Sequence, residues 1–87
     1  MLFMALFDIP TETLRECQER FMTVEENWHG VKMIGRWHHA HGNTGAVIIE
    51  SDDAQAIGRW ANQWTDILSL EVSPVLDDEG IRAVLSD

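Results

Sequence analysis

An α+β fold with the element order β-α-β-β-α-β and a short C-terminal helix is predicted by three features of the chain. The first is an apolar run over residues 2–7, Leu-Phe-Met-Ala-Leu-Phe, which suits a strand buried on both faces. The second is a helical stripe between Thr11 and Glu26, where Leu14, Cys17, Phe21 and Val24 recur at 3-4-3 spacing. The third is a hairpin, with strands from Val31 to about His39 and from Gly45 to about Glu50 across a Gly- and Asn-rich turn. This order is the split βαβ, or ferredoxin-like, arrangement. Right-handed crossovers then give an antiparallel four-stranded sheet in the order 4-1-3-2.

Along the chain, Asp8 and Pro10 close the first strand, and Pro10 suits a first helical turn. Arg15–Glu19 and Glu16–Arg20 stand at i,i+4 on the polar faces of the first helix. Thr13 with Glu16 has the spacing of a capping box. Asn27 to Gly30 supplies the stop. After the hairpin, Ser51-Asp52-Asp53 caps a second helix to about Asp66, with Ala54, Ile57, Ala61 and Trp64 as its stripe and Trp60 at the border. Gly58 inside that helix suggests the close approach of another backbone. Leu68 to Leu76 is the fourth strand. Its Pro74 cannot donate to a ladder and belongs on an edge. Asp77, Asp78 and Glu79 start the last helix, whose sticky face is Ile81, Val84 and Leu85.

Eighty-seven residues make one domain, residues 1–87, close to the lower size for a self-sufficient core. Fifteen acids against six bases give a net charge of −9, which repels nucleic-acid phosphates and anionic membranes. The six bases are scattered. A single cysteine, Cys17, excludes an internal disulfide framework and fits a reducing compartment. The opening apolar run lacks a basic flank and is too short for a signal-peptide core or a membrane span. A cytoplasmic protein is expected, with neither nucleic acid nor membrane as partner.

Two helices cover one face of a four-stranded sheet, and the other face of such a sheet is normally polar. Here Ala46 and Ile48 point opposite to Val47 and Ile49, and all four are apolar. A second copy is the expected cover, so a homodimer packed sheet to sheet with two-fold symmetry is predicted.

The opening MLFMALF, the segment GVKMIGRWHHAHGNTGAVIIESDDAQAI, the pair Trp60/Trp64 and the ending LEVSPVLDDE resemble a family of small prokaryotic proteins catalogued as a domain of unknown function. The resemblance covers nearly the whole chain and rests on Gly35-x-Trp37, Glu50-x-Asp52-Asp53 and Pro74-Val75. That family is similar in turn to the dimeric α+β barrel group, which includes cofactor-independent monooxygenases, haem-degrading enzymes, muconolactone isomerases and stress-response proteins. The resemblance implies the fold and leaves the function open, because one fold hosts many chemistries.

The hairpin carries most of the chemistry. On a strand, His39 and His41 share a face, and an H-x-H pair is a weak candidate for metal ligation, with Glu50 or His29 as a third ligand. Haem ligation by these histidines is implied by analogy with the barrel group alone, and no cofactor is assigned. In one hairpin register Arg36 stands opposite Glu50, with His38 beside Ile48, and the pair would anchor an acidic ligand. Slipped by one residue, Glu50 stands opposite Gly35 and Trp37 opposite Ile48, and Glu50 becomes a weak candidate general base in an apolar pocket. An ordinary cross-strand ion pair of modest worth is the favoured reading of Glu50 over either role. Trp64 is expected in the core, Trp28 and Trp60 at a pocket or interface, and Cys17 as a small hydrophobe. No phosphate-binding glycine loop or Ser-His-Asp spacing is visible, and with no tyrosine, tyrosine chemistry is excluded.

Three functions remain. One is a small dimer that binds an apolar or aromatic molecule between sheet and helices, in a closed pocket bounded by Trp37. Its candidate ligand-binding residues are Arg36, Trp37, His38, His39, Glu50 and Trp60. The second is a cofactor-independent oxygenase or isomerase using Glu50 or a histidine of 38–41 as acid/base. The third is a structural or regulatory dimer with a protein partner.

Overall fold

The computed structural model describes residues 1–86. Strand β1 (Leu2–Asp8) leads through a 3-10 turn, Thr11–Thr13, into helix α1 (Leu14–Thr23). Strands β2 (Lys32–His38) and β3 (Thr44–Glu50) form the hairpin, followed by α2 (Ala54–Asn62), β4 (Ser69–Val75) and α3 (Asp78–Leu85). The sheet order is β2-β3-β1-β4, every neighbouring pair antiparallel. This is the ferredoxin-like α+β arrangement, with the two most apolar strands central and the Pro74 strand on an edge.

The two sheet faces differ sharply. Phe3, Ala5 and Phe7 of β1 pair with Ile49, Val47 and Gly45 of β3 and with Pro74, Val72 and Leu70 of β4. These side chains share one face, because alternate residues of a strand point the same way. Of these, Ala5, Phe7, Val47 and Ile49 build the core with Cys17 of α1, Ile57 and Trp60 of α2, and Trp64 and Ile67 beyond it, and Phe3, Leu70 and Val72 pack against it. Trp60, Ile49 and Val47 are the largest fully buried side chains. The opposite face carries Leu2, Met4 and Leu6, Ala46 and Ile48, and Trp37. Leu6 is 47% and Trp37 61% exposed.

Local chemistry sets the element ends. Asp53 caps α2, its carboxylate accepting from the backbone N–H of Gln55 and Ala56. Asp77 does the same for α3 through Gly80 N–H at 2.8 Å. Helix α3 buries none of its residues, and Ile81, Val84 and Leu85 remain exposed.

Several expectations need correction. The first helix ends at Thr23, and Val24 turns extended, because the chain must reverse into β2. Thr13 makes no capping box with Glu16; its hydroxyl donates instead to Ile67 C=O at 2.6 Å. Helix α2 buries Ala56, Ile57 and Trp60 rather than Ala54. Gly58 has open space around its Cα, with no backbone approaching it. Neither hairpin register holds. Glu50 pairs with Lys32, Arg36 with Val47, and Trp37 with Ala46, with a bulge at Ile34 between Met33 and Gly35.

Candidate functional site

The segment between α1 and β2 builds the centre of the site. Its conformation is set by a left-handed pair, His29 (φ 51°) and Gly30 (φ 84°), and Asn27 Oδ1 accepts from His29 N–H at 3.0 Å. The Gln63 amide clamps the segment to α2, accepting from Asn27 N–H at 2.8 Å and donating to Asn27 C=O. This places Glu26 and Trp28 against α2.

Glu26 is the hub. Its Oε2 accepts from Trp60 Nε1 at 2.7 Å and from Trp64 Nε1 at 3.2 Å. Arg36 grips the same carboxylate with both nitrogens, Nη2 to Oε1 at 2.8 Å and Nη1 to Oε2 at 3.2 Å. The side chains of Arg36 and Glu26 are only 17% and 10% exposed. Trp60 and Trp64 stand one helical turn apart, so their indole N–H groups converge on one acceptor. The Arg36 guanidinium lies 5.3 Å from the Phe21 ring centroid and 5.2 Å from that of Trp28. Trp28 in turn stacks on Trp60 at 5.6 Å. Every buried polar group of this cluster is partnered, as burial requires.

Beside the cluster, between the core face of the sheet and the helices, lies a cleft of about 410 Å3. Phe7, Val47 and Leu70 form its floor, and Cys17, Phe21 and Met22 form the α1 wall. Trp60 and Trp64 close the α2 side, and Gln18, Arg36 and His38 supply polar atoms. The His38 ring packs edge-on against Phe7 and Phe21, 5.4 Å from each. Desolvation on the side packed against these rings, and secondarily the Arg36 charge, hold the imidazole of this otherwise exposed residue below the ordinary histidine range. Burial likewise pushes the Cys17 thiol up, so it resists ionisation.

Of the residues singled out in the sequence, the structure brings Arg36, His38 and Trp60 together at this cleft. Trp37 sits on the opposite sheet face, its ring over Gly35. It does not bound the cleft, which is open on one side where Met22 is exposed, rather than closed. Glu50 ends β3 on that same opposite face, beside Lys32, so it neither pairs with Arg36 nor enters the cleft. His39 and His41 stack at 5.3 Å in the hairpin turn, and each has a ring nitrogen at the Thr44 hydroxyl, 2.7 and 3.1 Å away. That places them at the far end of β3 from Glu50. Among the described residues no group of three His, Cys, Asp or Glu side chains converges as metal ligands.

Sequence reasoning missed Glu26. Its signal was available: two tryptophans at i,i+4 on a buried helix face leave two indole donors that need an acceptor.

No helix among the described residues is long and apolar enough to cross a membrane. Comparison with curated proteins and with solved structures finds no match in either. The model of the family described as Domain of unknown function (DUF3303) matches residues 1–87, the full length, and the chain belongs to that family.

Proposed function

We propose that this protein is a small ligand-binding homodimer, each protomer holding an apolar or aromatic molecule in the cleft between its sheet and its two covering helices. The cleft itself carries the reading. At about 410 Å3 it falls within the usual size of small-molecule sites, roughly 300–1,000 Å3. Its walls are predominantly apolar and aromatic, with a few polar atoms gathered at Arg36, His38 and Gln18, the composition such sites favour.

The uncovered sheet face supports the dimer. Trp37, Ala46 and Leu6 form one row across it, and Ile48 and Met4 the next. Exposed apolar patches of this kind mark interaction surfaces. Two-fold pairing of this face with its own copy would bury both, leaving the cleft on the outer side of each sheet. Glu50 belongs to this face and has no place in cleft chemistry. If the cleft supports proton transfer, His38 is the group within it.

Native mass spectrometry of untagged, freshly purified protein tests both parts. A dimer carrying a small organic adduct supports the reading. A bare monomer that takes up no aromatic probe contradicts it.

A further inference from the structure

We infer that the cleft selects neutral aromatic molecules bearing one hydrogen-bonding group, such as a phenol, over the corresponding carboxylates. This rests on the ligand-binding reading above and adds the charge class of the ligand.

The cleft contains an arginine, which by itself would suggest an anion site. Here Arg36 already has its anion. Glu26 engages it through both guanidinium nitrogens, and the pair is mostly buried. The two indole N–H groups of Trp60 and Trp64 fix the same carboxylate. An incoming carboxylate would have to displace Glu26 from four donors, leaving a buried acid without its counter-charge. Phe21 and Trp28 also crowd the guanidinium, their ring centroids 5.3 and 5.2 Å from its carbon. The chain's net charge of −9 adds a general repulsion.

A neutral ligand meets no such penalty. Phe7, Phe21, Trp60 and Trp64 offer aromatic walls. The His38 ring nitrogens have no protein hydrogen-bond partner among the described residues, so a ligand hydroxyl can donate to, or accept from, the imidazole. Gln18 is less available, because its Oε1 already accepts from Arg15 at 2.8 Å.

Equilibrium dialysis with 2-naphthol and 2-naphthoate near pH 7 tests the inference on wild-type protein. The two share a ring system, but the phenol is neutral and the carboxylate ionised. We expect 2-naphthol to bind at least about tenfold more tightly. Equal or tighter binding of 2-naphthoate overturns the inference while leaving a ligand cleft in place. Binding of neither probe overturns the underlying reading with it. The variant Glu26→Gln, checked for folding by circular dichroism, assigns the cause. Loss of the internal counter-ion should narrow or reverse the preference. A folded Glu26→Gln protein with undiminished preference for 2-naphthol would contradict the role given to Glu26.

Discussion

Glu26 and Arg36 meet as a two-pronged ion pair, 2.8 and 3.2 Å, that joins the segment after α1 to strand β2. Its removal from one side leaves a mostly buried charge without compensation. Glu26→Ala should therefore cost about 3–5 kcal/mol of folding stability by urea denaturation. Combining it with Arg36→Met should recover much of that loss, since neither charge then remains buried. A single-variant cost below about 1 kcal/mol would be the value of an exposed surface pair and would contradict this account.

His38 predicts a specific pH dependence. Its native pKa lies below the ordinary value, from desolvation first and Arg36 second. As pH falls, the unfolded chain takes up this proton before the native protein does. Stability then declines as pH falls from the unfolded pKa through the native one, and this contribution levels off below both. Urea midpoints at about pH 7.5 and about pH 5.5 should differ more in wild type than in His38→Gln. Equal differences would show that other groups carry the dependence.

Two glycines of the hairpin should respond differently to alanine. At Gly45 a Cβ would collide with the Phe7 ring in the core and with the Trp37 carbonyl, neither free to move. At Gly35 the three nearest atoms all belong to the Trp37 ring, which is largely exposed in the protomer and can swing aside. Gly45→Ala should cost about 1–3 kcal/mol or more, and Gly35→Ala should cost less in the protomer. Thermal denaturation of the two variants compares them directly, and a reversed order would contradict the placement of Trp37.

Cys17 is 4% exposed and lines the cleft. Reaction with a thiol reagent near neutral pH should be slow, because burial opposes thiolate formation. A bound aromatic molecule should slow it further. Rapid alkylation of the folded protein, unaffected by ligand, would place the thiol elsewhere.

The dimer is testable from the opposite face. Trp37→Glu puts a charge on the uncovered face without touching the cleft. Size-exclusion chromatography with light scattering should report a dimer for wild type and a monomer for this variant. A wild-type monomer would assign the apolar face another cover.

Much of the fold was legible because its signals are local. The continuous run in β1, the 3.6-residue stripe of α1 and Pro74 in β4 each fix an element without reference to distant residues. The hairpin register was not. The loop closes around Ala40 to Asn43, with His39 N–H donating to Thr44 C=O and Gly42 in the left-handed region at φ 98°. His39 before the loop and His41 within it both reach the Thr44 hydroxyl, and the extra residue Ile34 then shifts the pairing again. Such a bulge has little sequence signature, and it changes only the pairing beyond Gly35, at Met33 and Lys32; the turn, which sets His38 opposite Gly45, puts Arg36 and His38 on the core face and Trp37 on the other. Glu26 was hidden for a related reason. It lies beyond the last α1 turn, and the Gln63–Asn27 clamp, between residues far apart in sequence, holds it against α2.

The cleft claim is tested most directly by the indole N–H resonances of the four tryptophans in a 1H–15N NMR titration with 2-naphthol. The Trp60 and Trp64 signals, bonded to Glu26 at the cleft wall, should be protected from solvent exchange and should shift on binding. The Trp37 signal, on the opposite face, should stay in place. A titration that moves Trp37 and leaves Trp60 and Trp64 unchanged would put the ligand on the wrong side of the sheet and contradict the account.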